Sequence, residues 1–186
     1  MRKSESLRRE GLIPISQVQV RRYRASSLCI IRKDDSILLE QFAEENGVTT
    51  FRPVGGTIEY GEDSRSAVIR EVKEEIDQEI TGVRLLGIVE NIFPHDGQIG
   101  HEFDFIYEAS LLDASVYEQE IVYGVEGDRT FTAVWKRLGD FKNNASCRLV
   151  PDGLYEMLIG DGKAEHLSEV RHINSKDILP YWTEKR

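Results

Sequence analysis

Three glutamates, Glu71, Glu74 and Glu75, fall inside a stretch, residues 64–77, that reads as an α-helix. Asp63 or Ser64 can cap its first turn. At about 100° per residue, Glu75 lies about 40° to one side of Glu71 and Glu74 about 60° to the other. Val68, Ile69, Val72 and Ile76 occupy the neighbouring arc, so an apolar face adjoins an acidic one. Ala67, one turn before Glu71 on the acidic side, leaves room beside it. Like charges three and four residues apart destabilise a helix by roughly a few tenths of a kcal/mol per pair. Folding alone does not reward that arrangement, whereas a bound divalent cation does. Carboxylate oxygens are the ligands Mg²⁺ prefers, and Mg²⁺ also bridges substrate phosphates. The competing reading of the same pattern is a solvated acidic face.

Charge is unevenly placed along the rest of the chain. The 186 residues carry a net -9, yet the first 33 hold nine basic and two acidic residues. Residues 59–79 hold eight acidic residues against three basic. An acidic balance argues against general nucleic-acid binding, which relies on clustered Lys and Arg. No run of about 18 apolar residues is present, so no membrane-spanning helix is expected. The basic start, Met1-Arg2-Lys3, has no apolar stretch behind it and does not read as a secretory signal. Cys29 and Cys147 stand in no metal-ligand spacing and read as reduced packing thiols of a cytoplasmic protein.

Residues 1–14 read as a polar arm stopped by Pro14. Ser27 to Ile31 is an apolar strand, Asp34-Asp35 a turn, and Ile37 to Leu39 the return strand. Thr49 to Phe51 is a short strand that Pro53-Val54-Gly55-Gly56 then breaks. Further strands are expected at 83–89, 102–109 and 131–135. Residues 117–128 read as a polar, Gly-containing loop, and 152–159 as a second helix. Mixed strands around few helices point to an α+β fold, an α/β/α sandwich.

The residues around the glutamates carry a resemblance. Gly56, five residues, Glu62, seven residues, then Arg70-Glu71-Val72-Lys73-Glu74-Glu75 resembles the signature of the Nudix hydrolases, a MutT-like pattern. That signature reads Gly-x5-Glu-x7-Arg-Glu-U-x-Glu-Glu-x-Gly-U, with U a bulky aliphatic residue. The sequence departs from it at Asp77, in place of Gly, and at Gln78, in place of an aliphatic residue. Upstream, Arg52 to Glu62 resembles the loop that leads into the signature, its usual Pro-Gly-Gly stretched by Val54. Pro94, sixteen residues beyond Gln78, is a mark of the ADP-ribose pyrophosphatase-like group. The resemblance implies a Nudix fold, a mixed β-sheet between helices. It divides the chain into a basic arm (1–16), a hydrolase domain (17–162) and a C-terminal extension packed on that domain (163–186).

It implies a Mg²⁺-dependent pyrophosphohydrolase, with Mn²⁺ as a substitute, cleaving the diphosphate linkage of a nucleoside diphosphate derivative. ADP-ribose-like compounds and nucleoside triphosphates are both open as substrates. By position, Glu71, Glu74 and Glu75 resemble the metal ligands, joined by the carbonyl of Gly56 and, from a neighbouring strand, by Glu102. Glu62 and Arg70 resemble the ion pair that supports the loop. The general base is Glu74, Glu75, or a loop residue, Glu120 with Glu118 and Glu126 as alternatives. Arg52 and His101 are candidates for substrate contact. On a strand, Glu102 and Asp104 face one side and Phe103 and Phe105 the other. No nucleophilic side chain is required, because the metal-activated water supplies the nucleophile. The partner is then a small molecule, without nucleic acid or membrane, and a homodimer is compatible with the N-terminal arm. A non-catalytic Nudix domain that senses a nucleotide is the alternative function; such domains usually lose the signature glutamates, which this chain keeps.

Overall fold

A computed structural model of the chain describes residues 23–43, 47–95, 98–160 and 170–174. The expected basic arm lies outside the described residues. Of the C-terminal extension only 170–174 fall within them. The elements run β1 (Arg24–Lys33), β2 (Ser36–Ala43), β3 (Thr49–Thr57), α1 (Ser64–Ile76), β4 (Ile80–His95), β5 (Gln98–Leu111), β6 (Ile121–Glu126), β7 (Arg129–Arg137), β8 (Cys147–Leu149), α2 (Leu154–Ile159) and β9 (Val170–Asn174). The strands form one mixed sheet in the order β6-β7-β2-β3-β1-β5-β4-β9, with β8 attached to β3. The pairs β1–β5, β3–β8 and β4–β9 are parallel. Among the described residues no helix is long and apolar enough to cross a membrane.

The sheet is covered on both faces, and β1 shows why. Cys29 and Ile31 point into a core built with Val68, Val72 and Ile76 of α1. Leu28 and Ile30 point into a second core with Phe51, Val89, Ile106 and Leu154 of α2. A strand buried on both faces reads as a continuous apolar run rather than an alternation, which is how Leu28 to Ile31 reads in sequence. Burying such side chains is worth about 1.5–3 kcal/mol each. The central strands therefore fix where the flanking loops stand.

Two expectations are corrected. Pro53-Val54-Gly55-Gly56 does not break the strand. It is the point at which β3 changes partner, from β2 (Leu39 opposite Pro53) to β1 (Leu28 opposite Gly55, Ser27 opposite Gly56). The partner change accommodates a proline, which has no N–H to give a ladder. Residues 117–128 are likewise not an open loop. A 3-10 turn over Ala114–Glu118 leads into β6, which forms a hairpin with β7. Gly124 made this stretch read as a loop, but it is a strand position where the Phe131 ring takes the space of a side chain.

Helix α1 spans nearly the expected range, with Asp63 as N-cap accepting from the Ser66 N–H at 3.0 Å. Its buried stripe is rotated from the expected one. Ala67, Val68, Val72, Glu75 and Ile76 are buried, whereas Ile69 is exposed. The face toward the sheet thus takes in one glutamate, and the acidic face is divided between interior and solvent. The departure at Asp77 also has a local reason. Asp77 ends the helix at φ 53°, ψ 36°, the left-handed conformation that glycine favours and aspartate tolerates. Its carboxylate pairs with Lys73 at 2.6 Å.

Candidate active site

The site is built where β3 meets α1. Gly55 has φ 137°, and a Cβ there would lie 2.2 Å from the Ser27 carbonyl oxygen. Only glycine lets β3 run this close to β1 at that angle. The Gly55 N–H then donates to Glu75 Oε2 at 2.9 Å. At Gly56 a Cβ would fall 2.7–2.9 Å from the three carboxyl atoms of Glu71. Two consecutive glycines therefore let two glutamates of α1 lie against the strand backbone.

The three signature glutamates occupy different environments. Glu75 is 4% exposed. Burial pushes its carboxyl up to about 8, opposed by the Gly55 N–H and by the charge of Arg52. Glu71 is also pushed up by burial, opposed by the Arg70 hydrogen bond and charge. Glu74 stands at the surface. Arg70 ties this group to the loop before the helix. Its guanidinium is bidentate on Glu62 at 2.9 and 2.8 Å and reaches Glu71 at 2.8 Å, Glu74 at 2.9 Å and the Thr57 carbonyl at 3.1 Å. That contact holds the Glu62 carboxyl below its ordinary range. Among the described residues, no three His, Cys, Asp or Glu side chains already converge as a ligand set. Glu71 and Glu74 are both turned to Arg70 instead.

A second charged layer lies behind Gly55; the sequence singles out its Arg52 and Glu126 but not Glu40 or Arg129. Glu40 of β2 is fully buried, accepting from Arg129 of β7 at 2.5 Å and from Arg52 of β3 at 3.4 Å. Arg52 also donates to the Gly55 carbonyl at 3.1 Å and stands 3.8 Å from Glu126 of β6. Arg129 closes the ring by pairing with Glu126 at 2.5 Å, which lowers the Glu126 carboxyl. Burial raises the Glu40 carboxyl, opposed by both arginines. The signal available in the sequence was a glutamate directly after Ile37-Leu38-Leu39, in a strand otherwise made for a core.

The remaining candidates separate. Arg52 lies beside the glutamates, as its position next to the loop suggests. Glu102 faces the other side of the sheet from α1, paired with Arg24 at 2.6 Å. His101 is on the opposite face of β5 from Glu102, bonded to Glu90 at 2.9 Å and stacked on Phe103. Glu120 precedes β6, while Glu126 ends it. Six residue steps at about 3.4 Å hold Glu120 and Glu126 roughly 20 Å apart. The strand therefore brings Glu126, and not Glu120, to Arg52.

Beside Arg52, on the α2 side of the sheet, is a cavity of ≈ 270 Å³. Its wall includes Arg24, Glu102, Asp104, Asn91 and the Arg148–Asp152 pair. Asp104 is buried, and burial together with the neighbouring Glu102 charge pushes its carboxyl up to about 7.

The profile of the NUDIX domain matches residues 21–145. Among solved structures, a MutT NUDIX hydrolase from Burkholderia pseudomallei is similar at 26% identity, covering 64% of this chain and 86% of that one, with a TM-score of 0.49. An ADP-ribose pyrophosphatase from Streptococcus suis is similar at 19% identity over 81% of this chain and 98% of its own, also at a TM-score of 0.49. A MutT protein from Bacillus halodurans matches at 20% identity over 81% and 86%, at 0.49.

Proposed function

The chain belongs to the Nudix family and is a hydrolase acting on phosphoric anhydride bonds; on that premise we propose that it cleaves the diphosphate linkage of a nucleoside diphosphate derivative with Mg²⁺ as cofactor. ADP-ribose-like compounds and nucleoside triphosphates are the substrate classes to test. The observation that carries this reading is the pair of glutamates, Glu71 and Glu75, sunk against Gly55 and Gly56 at the end of β3. Sinking carboxylates into a fold is costly unless something there uses them.

The donor set fits a hard divalent cation. It is all oxygen, comprising the carboxylates of Glu71, Glu74 and Glu75 with the Gly56 carbonyl beside them. Glu102 is a more distant candidate because Arg24 already holds it. When bound, the cation neutralises the diphosphate and lowers the pKa of a coordinated water. The chain's own residues supply the rest. Arg52, anchored by Glu40 and the Gly55 carbonyl, offers a fixed cation to the diphosphate. Glu75 or Glu74 accepts the proton of the attacking water. A base works best with a pKa near the operating pH, and burial brings Glu75 to about 8. Glu62 and Arg70 keep the loop on the helix. His101, facing away from the cavity, is left without a substrate role, and Glu126 replaces Glu120 as the β6 carboxylate beside the centre. We assign the reaction to the cytoplasm, a location that suits the free thiols of Cys29 and Cys147.

The test is product analysis. The protein is incubated with ADP-ribose, nucleoside triphosphates and dinucleoside polyphosphates, with Mg²⁺ or with a chelator. We expect at least one compound to be split at its anhydride linkage in Mg²⁺ only. Turnover of none, or turnover undiminished by the chelator, would overturn the proposal.

A further inference from the structure

The ring of Glu40, Arg52, Glu126 and Arg129 lies on the same side of the sheet as the glutamates of α1. Leu38, Val54, Val122 and Phe131 point into the core shared with α1. Residues an even number of places away along a strand share that face. Glu40 on β2, Arg52 on β3, Glu126 on β6 and Arg129 on β7 all meet that condition. The Glu126 charge is also felt at Glu75, where it adds to the rise of the carboxyl. Two cations and two anions thus stand beside the proposed Mg²⁺ site.

The two carboxylates are not held alike. Glu40 is fully buried, and taking it from its arginines would leave buried charge without a partner. Glu126 has 44% of its side chain exposed. It ends β6 and faces Arg129 across the turn at Gly127 and Asp128. It meets the same Arg129 Nη2 that Glu40 uses, at 2.5 Å, and stands 3.8 Å from Arg52. An ion pair open to water contributes little. The guanidiniums themselves are fixed. The Phe42 ring lies 5.0 Å from that of Arg129 and 5.8 Å from that of Arg52, and Phe131 lies 5.7 Å from Arg129. Stacking on aromatic faces sets the plane of a guanidinium. Arg52 is further tied to the Gly55 carbonyl, while its buried Nε has no partner.

Two fixed guanidiniums, a buried carboxylate behind them and a loosely held one in front have the form of an anion site filled by a stand-in. We propose that Arg52 and Arg129 are a diphosphate clamp in which Glu40 is the permanent counterion and Glu126 an exchangeable one, displaced by the phosphoryl oxygens of the substrate. Charge gives the exchange its direction. Two guanidiniums against two carboxylates are neutral. A diphosphate in place of Glu126 trades one negative charge for two or more, and a guanidinium fork matches phosphoryl oxygens bidentately. Arg129 is then a substrate-binding residue. Glu40 is a positioning residue that acts through both arginines. With Glu40 neutral, both arginines turn to Glu126, which becomes harder to displace. This inference rests on the reading of the chain as a nucleoside diphosphate hydrolase.

The experiment is calorimetric titration of the full chain with pyrophosphate in a chelator, so that binding is read apart from the cation and from turnover. Glu126→Gln should bind pyrophosphate about tenfold or more tightly than the wild type, and binding detectable only in the variant counts as that gain. Adding Arg129→Gln to it should abolish the gain. Glu120→Gln makes the same change of net charge at the other end of β6 and should leave binding unchanged. Glu40→Gln also makes that change of charge but should weaken pyrophosphate, and Glu40→Asp, which restores the carboxylate, should recover much of the loss. If the Glu40 variants do not fold, Glu126→Gln and its Arg129→Gln double variant decide. Glu126→Gln no tighter than wild type, a gain that survives the loss of Arg129, an equal gain in Glu120→Gln, or tighter binding in a folded Glu40→Gln would overturn the inference. A protein that hydrolyses anhydrides in Mg²⁺ but gains nothing from Glu126→Gln loses the clamp and keeps the function. One that binds pyrophosphate as expected and turns over no compound keeps the clamp and loses the function.

Discussion

Glu75→Gln is expected to lower kcat by at least about 100-fold, the scale on which removal of a preorganised charged group at a reacting centre acts, while the protein stays folded. Glutamine preserves the volume and can still accept from the Gly55 N–H, as Glu75 does at 2.9 Å. It cannot carry the negative charge that a cation or a departing proton needs. The same substitution should alter how stability depends on pH. Burial raises the Glu75 carboxyl from 4.5 to about 8, so the folded state holds a proton that the unfolded chain has released. A raised acid favours the fold below its unfolded value, and that contribution fades as pH climbs through the folded one. In a chelator-containing buffer the melting temperature of the wild type should fall between about pH 4.5 and 8. Glu75→Gln should flatten the upper part of that fall. Asp104, pushed up to about 7, leaves a residual slope at lower pH. Full activity in the variant, or an unchanged pH slope, would count against placing Glu75 in the centre.

Gly55→Ala is expected to be the most damaging single substitution in the site, costing more than about 4 kcal/mol, a loss seen only where a named packing or backbone mechanism applies. The new Cβ would sit 2.2 Å from the Ser27 carbonyl oxygen and 2.9 Å from the Leu28 Cα. Both obstacles are backbone of β1, and β1 is packed on its two faces by separate cores. Neither can move without opening one of them. The native φ of 137° is strained for any side chain. Urea unfolding, or failure to obtain soluble protein, reads the effect. A melting temperature within about 2 °C of wild type, at most about 1 kcal/mol for a chain of this size, would contradict the account.

Much of this was legible in the sequence because it is local. The cap at Asp63, the register of Glu71, Glu74 and Glu75, and the spacing back to Gly56 all depend on helix period and chain distance. The rotation of α1 was not legible. Ile69 and Ala67 exchange roles because the sheet, rather than the helix pattern, decides which arc is covered. The ring of Glu40, Arg52, Glu126 and Arg129 joins four strands that are adjacent only after the sheet is ordered. Arg52 and Glu126 stand out separately, and a carboxylate in an apolar strand is the one trace of Glu40. Read as a loop, residues 117–128 leave Glu118, Glu120 and Glu126 equivalent; the strand β6 within them brings Glu126 to Arg52. Asn91 and Asp104 meet through the β4–β5 register, which no spacing within either strand reveals.

The most direct test of the central claim is Mg²⁺ titration of the wild type and Glu75→Gln by calorimetry near pH 7, in two buffers of different ionisation enthalpy. If the buried glutamates of α1 form the cation site, the wild type binds Mg²⁺ and releases protons, because a carboxyl raised to about 8 must give up its proton to become a ligand. Glu75→Gln should bind at least about tenfold more weakly, a change of about 1.4 kcal/mol, with the proton release lost. Equal binding in both proteins, or no binding to the wild type, would contradict it.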